Sequence, residues 1–259
     1  MSLTYRADVD GLRAVAILIV VAFHAFPDVF PGGFIGVDVF FVISGFLISS
    51  HLFAQVTNSG RIALASFWAR RARRLLPAAL FVIFLTLLFA FFFVPAGNKI
   101  EFAKEGLAST FYGENWLLAL NSTNYFAQTT ASPFQHYWSL AVEEQFYLVW
   151  PLLLAAIARL GWVKRGLPSA VTALTFGSFA FALVLLSSEP QFAYFHSFAR
   201  VWEFGIGALL ALPTITRRVS LSSKQANILA IFGFAGIVST VFLFNENTPF
   251  PGFATLLDR

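Results

Sequence analysis

Seven apolar runs, near residues 12–28, 33–54, 76–95, 138–158, 168–188, 199–213 and 226–245, constrain this chain more than any other feature. All but the short 199–213 run approach or reach the length a helix needs to cross about 30 Å of hydrocarbon. Only 12% of the residues are charged and 58% are hydrophobic, whereas a soluble domain carries about 25% charged residues. The expected fold is therefore all-α: a polytopic transmembrane helix bundle with at least seven clear spans, occupying residues 1–259 as one domain. A secretory signal peptide is excluded for the first run, because no small-x-small cleavage site follows it and many more spans do.

Segment 106–120 (GLASTFYGENWLLAL) is intermediate in character, and NSTNYFAQTTASPFQHY after it is polar but uncharged. Basic residues sort by connection. Arg61, Arg70, Arg71, Arg73 and Arg74 lie between the second and third runs; Arg159, Lys164 and Arg165 follow the fourth; Arg217, Arg218 and Lys224 follow the sixth. The alternate connections are nearly free of net positive charge: PDVFPGG has none, and GNKIEFAKEG balances two Lys with two Glu. The positive-inside rule then puts the N-terminus and the Arg-rich connections in the cytoplasm. Parity requires 106–137 to begin and end outside, as a re-entrant or helix-pair element. The chain stops at TPFPGFATLLDR, where a further span is expected, so the last helices of the bundle are expected to lie beyond it.

The net charge of +4 does not signal a nucleic-acid partner, because the positive residues serve the loops. The 33 Phe are read as lipid-facing and core filling. With no Cys there is no disulfide, thiolate metal site or Cys-acyl intermediate. No metal-ligand spacing, P-loop or dinucleotide motif occurs. Ser44 has no G-x-S-x-G elbow around it and is not read as a nucleophile.

Ionisable groups at membrane depth are costly and are functional candidates. Arg13 and His24 lie eleven residues apart in GLRAVAILIVVAFHAF. They share one helix face about 16 Å apart along the axis. Asp38, Glu143, Glu144, Arg200 and Glu203 are expected in the same outer layer as His24. A neutral imidazole beside a carboxylate can take a proton from a hydroxyl. His24 is the expected base, oriented by Glu143 or Asp38. The alternative for each of these carboxylates is an interhelical salt bridge to Arg13 or Arg200. Arg70, Arg71, Arg73 and Arg74, in FWARRARRLLP, could bind phosphate bidentately. They could also fix topology by holding anionic lipid headgroups. A proton-coupled transporter or glycan exporter would use the same buried charges as a relay, and a membrane scaffold would use them only for packing.

Four segments together resemble the acyltransferase-3 family of integral membrane O-acyltransferases: YRADVDGLRAVAILIVVAFHAFPDVFPGGFIGVDVFFVISGFLIS, FWARRARRLLPA, HYWSLAVEEQFYLVWP and ARVWEFGIGALLA. The first includes the Arg-x10-His pattern of Arg13 and His24, and the opening resembles longer members that carry a C-terminal SGNH-type domain. The resemblance implies transfer of an acyl group, commonly acetyl, from cytoplasmic acyl-CoA to a hydroxyl of an envelope glycan such as lipopolysaccharide O-antigen, in a bacterial inner membrane. It implies that the donor phosphates meet Arg70, Arg71, Arg73 and Arg74, that Arg13 lies along the donor path and that the acceptor hydroxyl arrives at His24; His24, Glu143 and Asp38 are the expected catalytic residues, and Arg200, Glu203, His136 and Trp138 the expected acceptor-binding residues. The absence of Cys and of a serine elbow favours direct transfer over an acyl-enzyme.

Overall fold

A computed structural model describes residues 6–121, 123, 125, 126, 132–163, 166–213 and 221–252. Every regular element among the described residues is a helix. In order they form α1 (Ala7–Ala25), a short 3₁₀ turn (Gly33–Ile35), α2 (Gly36–Ser59), α3 (Leu64–Phe93), α4 (Ala96–Thr110), α5 (Glu114–Leu120), α6 (Tyr137–Arg159), α7 (Gly166–Ser188), α8 (Pro190–Phe195), α9 (Ser197–Ala211) and α10 (Ser223–Leu243). Lys164, Arg165, Arg217 and Arg218 of the basic connections lie outside the described residues.

Among the described residues, five helices are long and apolar enough to cross a membrane, fewer than the seven expected: α2 with its preceding turn, α3, α6, α7 and α10. The first run falls short because α1 carries Asp8, Asp10 and Arg13 in its first two turns. The sixth is α9, only 15 residues, or about 22 Å at 1.5 Å per residue. Arg70, Arg71, Arg73 and Arg74 belong to α3 rather than to a loop. Nothing between Leu64 and Pro77 breaks a helix, and Pro77 itself is carried inside α3, so the helix begins a dozen residues before its apolar stretch.

Segment 106–120 supplies the end of α4 and all of α5, a helix pair that turns back on itself. Leu87 of α3 lies against Gly106, so α4 runs back along the helix it follows. The turn contains Tyr112 in the left-handed region, φ 53°. Gln145, eight residues into α6, donates to the Tyr112 carbonyl at 2.7 Å and to Asn115 Oδ1 at 2.9 Å. Asn115 then donates to the Phe195 carbonyl at 3.0 Å and Ser197 Oγ at 2.8 Å. A polar turn at this depth is tolerated because its backbone is satisfied by neighbouring protein.

Helix α9 is the axis of the bundle, packed between α2 and α7. Close approach there depends on glycine. A Cβ on Gly45 would overlap the Phe204 carbonyl, and one on Gly207 would overlap the Val42 carbonyl. Small residues let apolar helices associate by contact where hydrophobic burial offers little. Helix α1 stands at the edge, against α2 and the 3₁₀ turn.

Candidate active site

A cavity of about 730 Å³ opens between α1, α2, α3 and α6. Its basic end is lined by Arg13, His51, Arg70, Arg71 and Arg74. Its walls are mostly apolar, and toward the other end of α1 they include Val20 and Val21, one turn short of His24.

The ring of His24 is oriented by its own helix. Its Nδ1 lies 2.8 Å from the Val20 carbonyl, which can only accept, so the ring proton sits on Nδ1 and Nε2 keeps its lone pair. The Tyr125 hydroxyl faces that Nε2 at 3.4 Å. Tyr125 is itself stacked on Tyr194, with ring centroids 4.7 Å apart, and is edge-on to Trp138 at 6.2 Å. His136 precedes α6 within electrostatic range of His24; burial and the neighbouring His24 both hold its pKa below the usual imidazole value.

The expected carboxylate partners of His24 are elsewhere. Asp38 Oδ1 pairs with Arg200 at 2.5 Å, and Arg200 reaches Glu203 Oε1 at 3.3 Å. Arg200 is 0% exposed and Glu203 1%. The rings of Phe41, Trp138, Tyr194 and Phe250 surround the guanidinium. Neither member of the Arg200–Glu203 pair lines the cavity, and Trp138 is a buried core residue. The single ionic layer anticipated from sequence is therefore split. Tyr125, Tyr194 and Trp138 stand between His24 and the ion cluster.

Glu143 lies deeper than expected. Its Oε1 accepts from Ser44 Oγ at 2.5 Å and from the Tyr147 hydroxyl at 2.8 Å. Ser44 is six residues beyond Asp38, about 9 Å further along α2. Counting residues from the start of each apolar run put Asp38 and Glu143 level; the packed register instead sets Trp138 beside Phe41 and Glu143 beside Ser44. Glu143, Ser44 and Tyr147 all face the cavity.

The four arginines are not equivalent. Arg70, Arg71 and Arg74 line the cavity and Arg73 does not. Arg71 is already engaged: it donates to Glu144 Oε1 at 2.6 Å and lies over the Tyr147 ring at 3.5 Å. Arg13 lies over the Phe40 ring at 5.3 Å. Two contributors, His51 and Tyr125, carried no sequence motif, and Tyr147 was not singled out within the segment HYWSLAVEEQFYLVWP that contains it. The sole sign of Tyr125 was an aromatic pair inside an otherwise polar connection.

The bundle thus sets clustered guanidinium groups at one end of a cavity and carries the His24 imidazole one turn of α1 beyond the lining at the other. The chain belongs to the acyltransferase domain family, whose profile matches residues 6–257. It is similar to the O-acetyltransferase OatA of Staphylococcus aureus, 33% identical over 249 residues. It is also similar to the peptidoglycan O-acetyltransferase OatA of Listeria monocytogenes, at 34% over 261 residues, and to a putative peptidoglycan O-acetyltransferase of Bacillus subtilis, at 35% over 257. These matches take in 93%, 95% and 95% of the chain but only 41%, 41% and 40% of the relatives. No solved structure matches.

Proposed function

We propose that this chain is the membrane domain of an O-acyltransferase, moving an acetyl or other small acyl group from acyl-CoA to a hydroxyl of a bacterial envelope glycan. The observation that carries this reading is the distance from the cavity's basic end to His24, which lies one turn of α1 beyond the lining residues Val20 and Val21. Arg13 and His24 are about 16 Å apart on one helix face. The phosphopantetheine arm of CoA, about thirteen bonds from sulfur to phosphorus, extends about 15 Å. With its phosphates at Arg13 and Arg74, the donor presents its thioester beside His24. Two of the relatives named above are described as acting on peptidoglycan, which favours a glycan of that kind over lipopolysaccharide as acceptor. The basic end faces the cytoplasm, where acyl-CoA is found, and the N-terminus lies on that side of the inner membrane.

In the reaction His24 Nε2 takes the proton of the acceptor hydroxyl, whose oxygen attacks the thioester carbonyl. The carbon–sulfur bond breaks, and the departing CoA thiolate recovers the proton from the imidazolium. The ester product keeps the acyl group and His24 returns to its neutral form.

The test is acyl transfer by the purified protein in detergent, with labelled acetyl-CoA and peptidoglycan fragments. Labelled glycan and free CoA in equal amounts are expected. Arg74→Gln should raise the acetyl-CoA Kd about tenfold, the scale of one charge-assisted contact, and Arg73→Gln should leave it unchanged. Acceptor movement across vesicles without thioester cleavage would instead identify a transporter.

A further inference from the structure

The basic end of the cavity holds one polar side chain that no motif explains. His51, on α2, lines the wall beside Arg70. It lies seven residues past Ser44, about 10 Å further from His24. Its tautomer is set by a relay that begins outside the cavity. The Ala63 backbone N–H, in the α2–α3 connection, donates to Gln55 Oε1 at 3.3 Å. That fixes the Gln55 amide, whose nitrogen must then donate to His51 Nε2, 2.7 Å away. Nε2 is thereby the acceptor, and the ring proton is held on Nδ1 as a donor. A helix-interior histidine with one nitrogen committed to the chain and the other carrying a proton is prepared for an acceptor ligand.

The neighbouring charges say which acceptor. Arg71 is neutralised by Glu144 and Arg13 pairs loosely with Asp10 at 3.8 Å, so among the described residues Arg70 and Arg74 are the arginines of the cavity lining with no ion pair. Arg13 and Arg74 are occupied by the diphosphate in the donor pose above. Arg70 and His51 lie beyond them, on the side away from His24. In CoA the group one ribose beyond the diphosphate is a phosphate monoester on the 3′ oxygen. We propose that Arg70 and His51 form a subsite for the ribose 3′-phosphate of the donor, with Gln55 as the positioning residue that holds His51 Nδ1 protonated. The proposal rests on the acyl-CoA reading of the cavity and assigns the donor's far end within it.

The experiment compares acetyl-CoA with acetyl-3′-dephospho-CoA, by calorimetric titration into the detergent-solubilised protein. Wild type should favour acetyl-CoA by about tenfold or more, as expected for charge-assisted contacts to a phosphate. His51→Ala and Arg70→Gln should each cut that preference severalfold while retaining wild-type affinity for the dephospho donor, which also reports that the variant is folded. Gln55→Leu, which leaves His51 free to place its proton on either nitrogen, should lower the preference by a smaller factor. Equal wild-type affinity for the two donors overturns the subsite while leaving the acyl-CoA reading intact. So do variants that weaken both donors alike. Absence of any acetyl-CoA binding by wild type overturns the donor reading itself, and the subsite with it.

Discussion

His24 Nδ1 lies 2.8 Å from the carbonyl oxygen of Val20, one turn back on the same helix. This contact does the work that a carboxylate does in many general-base sites. It fixes the tautomer and ring orientation without a second charge, and leaves Nε2 toward the Tyr125 hydroxyl. His24→Ala should therefore lower glycan acylation by about 10²–10⁴-fold, the usual contribution of a general base, while the protein still inserts and accumulates. Tyr125→Phe, which removes one weak contact, should cost tenfold or less. Near-normal turnover by His24→Ala in a labelled-donor assay would remove His24 from the chemistry.

Glu143 and Glu144 are adjacent yet serve different neighbours, because successive helix residues project about 100° apart. Glu143 gathers Ser44 and Tyr147 inside the cavity, and Glu144 neutralises Arg71. Glu143→Gln should reduce turnover at least tenfold. Glu144→Gln should release Arg71 and tighten acetyl-CoA binding severalfold, an effect that added salt diminishes. Parallel measurement of kcat and donor Kd for both variants decides the matter; matching losses in the two would refute the division of roles.

Arg200 is expected to matter for stability first. It is enclosed with Asp38 and Glu203 among aromatic rings; removing Arg200 leaves two buried carboxyl groups without a cation, and removing the Asp38 charge takes the shorter of the two ion pairs of Arg200. Asp38→Asn or Arg200→Met should cost about 3–5 kcal/mol, read as loss of monodisperse protein and a lowered unfolding midpoint in detergent. A variant that keeps wild-type stability but loses transfer would return Arg200 to the acceptor site.

The α4–α5 helix pair carries a carboxyl group with no cation beside it. Glu114 is 0% exposed. Burial, reinforced by nearby Glu105, pushes its pKa up to about 8, while Ser109 works against the shift. A carboxyl with a raised folded-state pKa contributes its stability below its unfolded value, near 4.3, and loses it as pH rises through the folded value. The thermal midpoint should thus fall between about pH 4.5 and 8. Glu114→Gln should flatten that fall; an unchanged pH profile in the variant would show that Glu114 is ionised in the fold.

The apolar runs, the Arg-x10-His spacing and the membership in an acyltransferase family were all legible in the sequence, because each depends on composition or on residues within one helix. The helical class followed from hydropathy, and the 16 Å step from Arg13 to His24 from helix geometry alone. Partners on different helices were not legible. Which carboxylate meets Ser44, which meets Arg200, and which arginine is cancelled by Glu144 depend on the relative register of α2, α3, α6 and α9. A shift of one turn, about 5.4 Å, exchanges those partners without altering any local pattern. The glycine contacts at Gly45 and Gly207 set that register by letting α9 approach α2 backbone to backbone. The tautomer of His24 is set within α1 by the Val20 carbonyl, whereas that of His51 depends, through Gln55, on Ala63 in the α2–α3 connection.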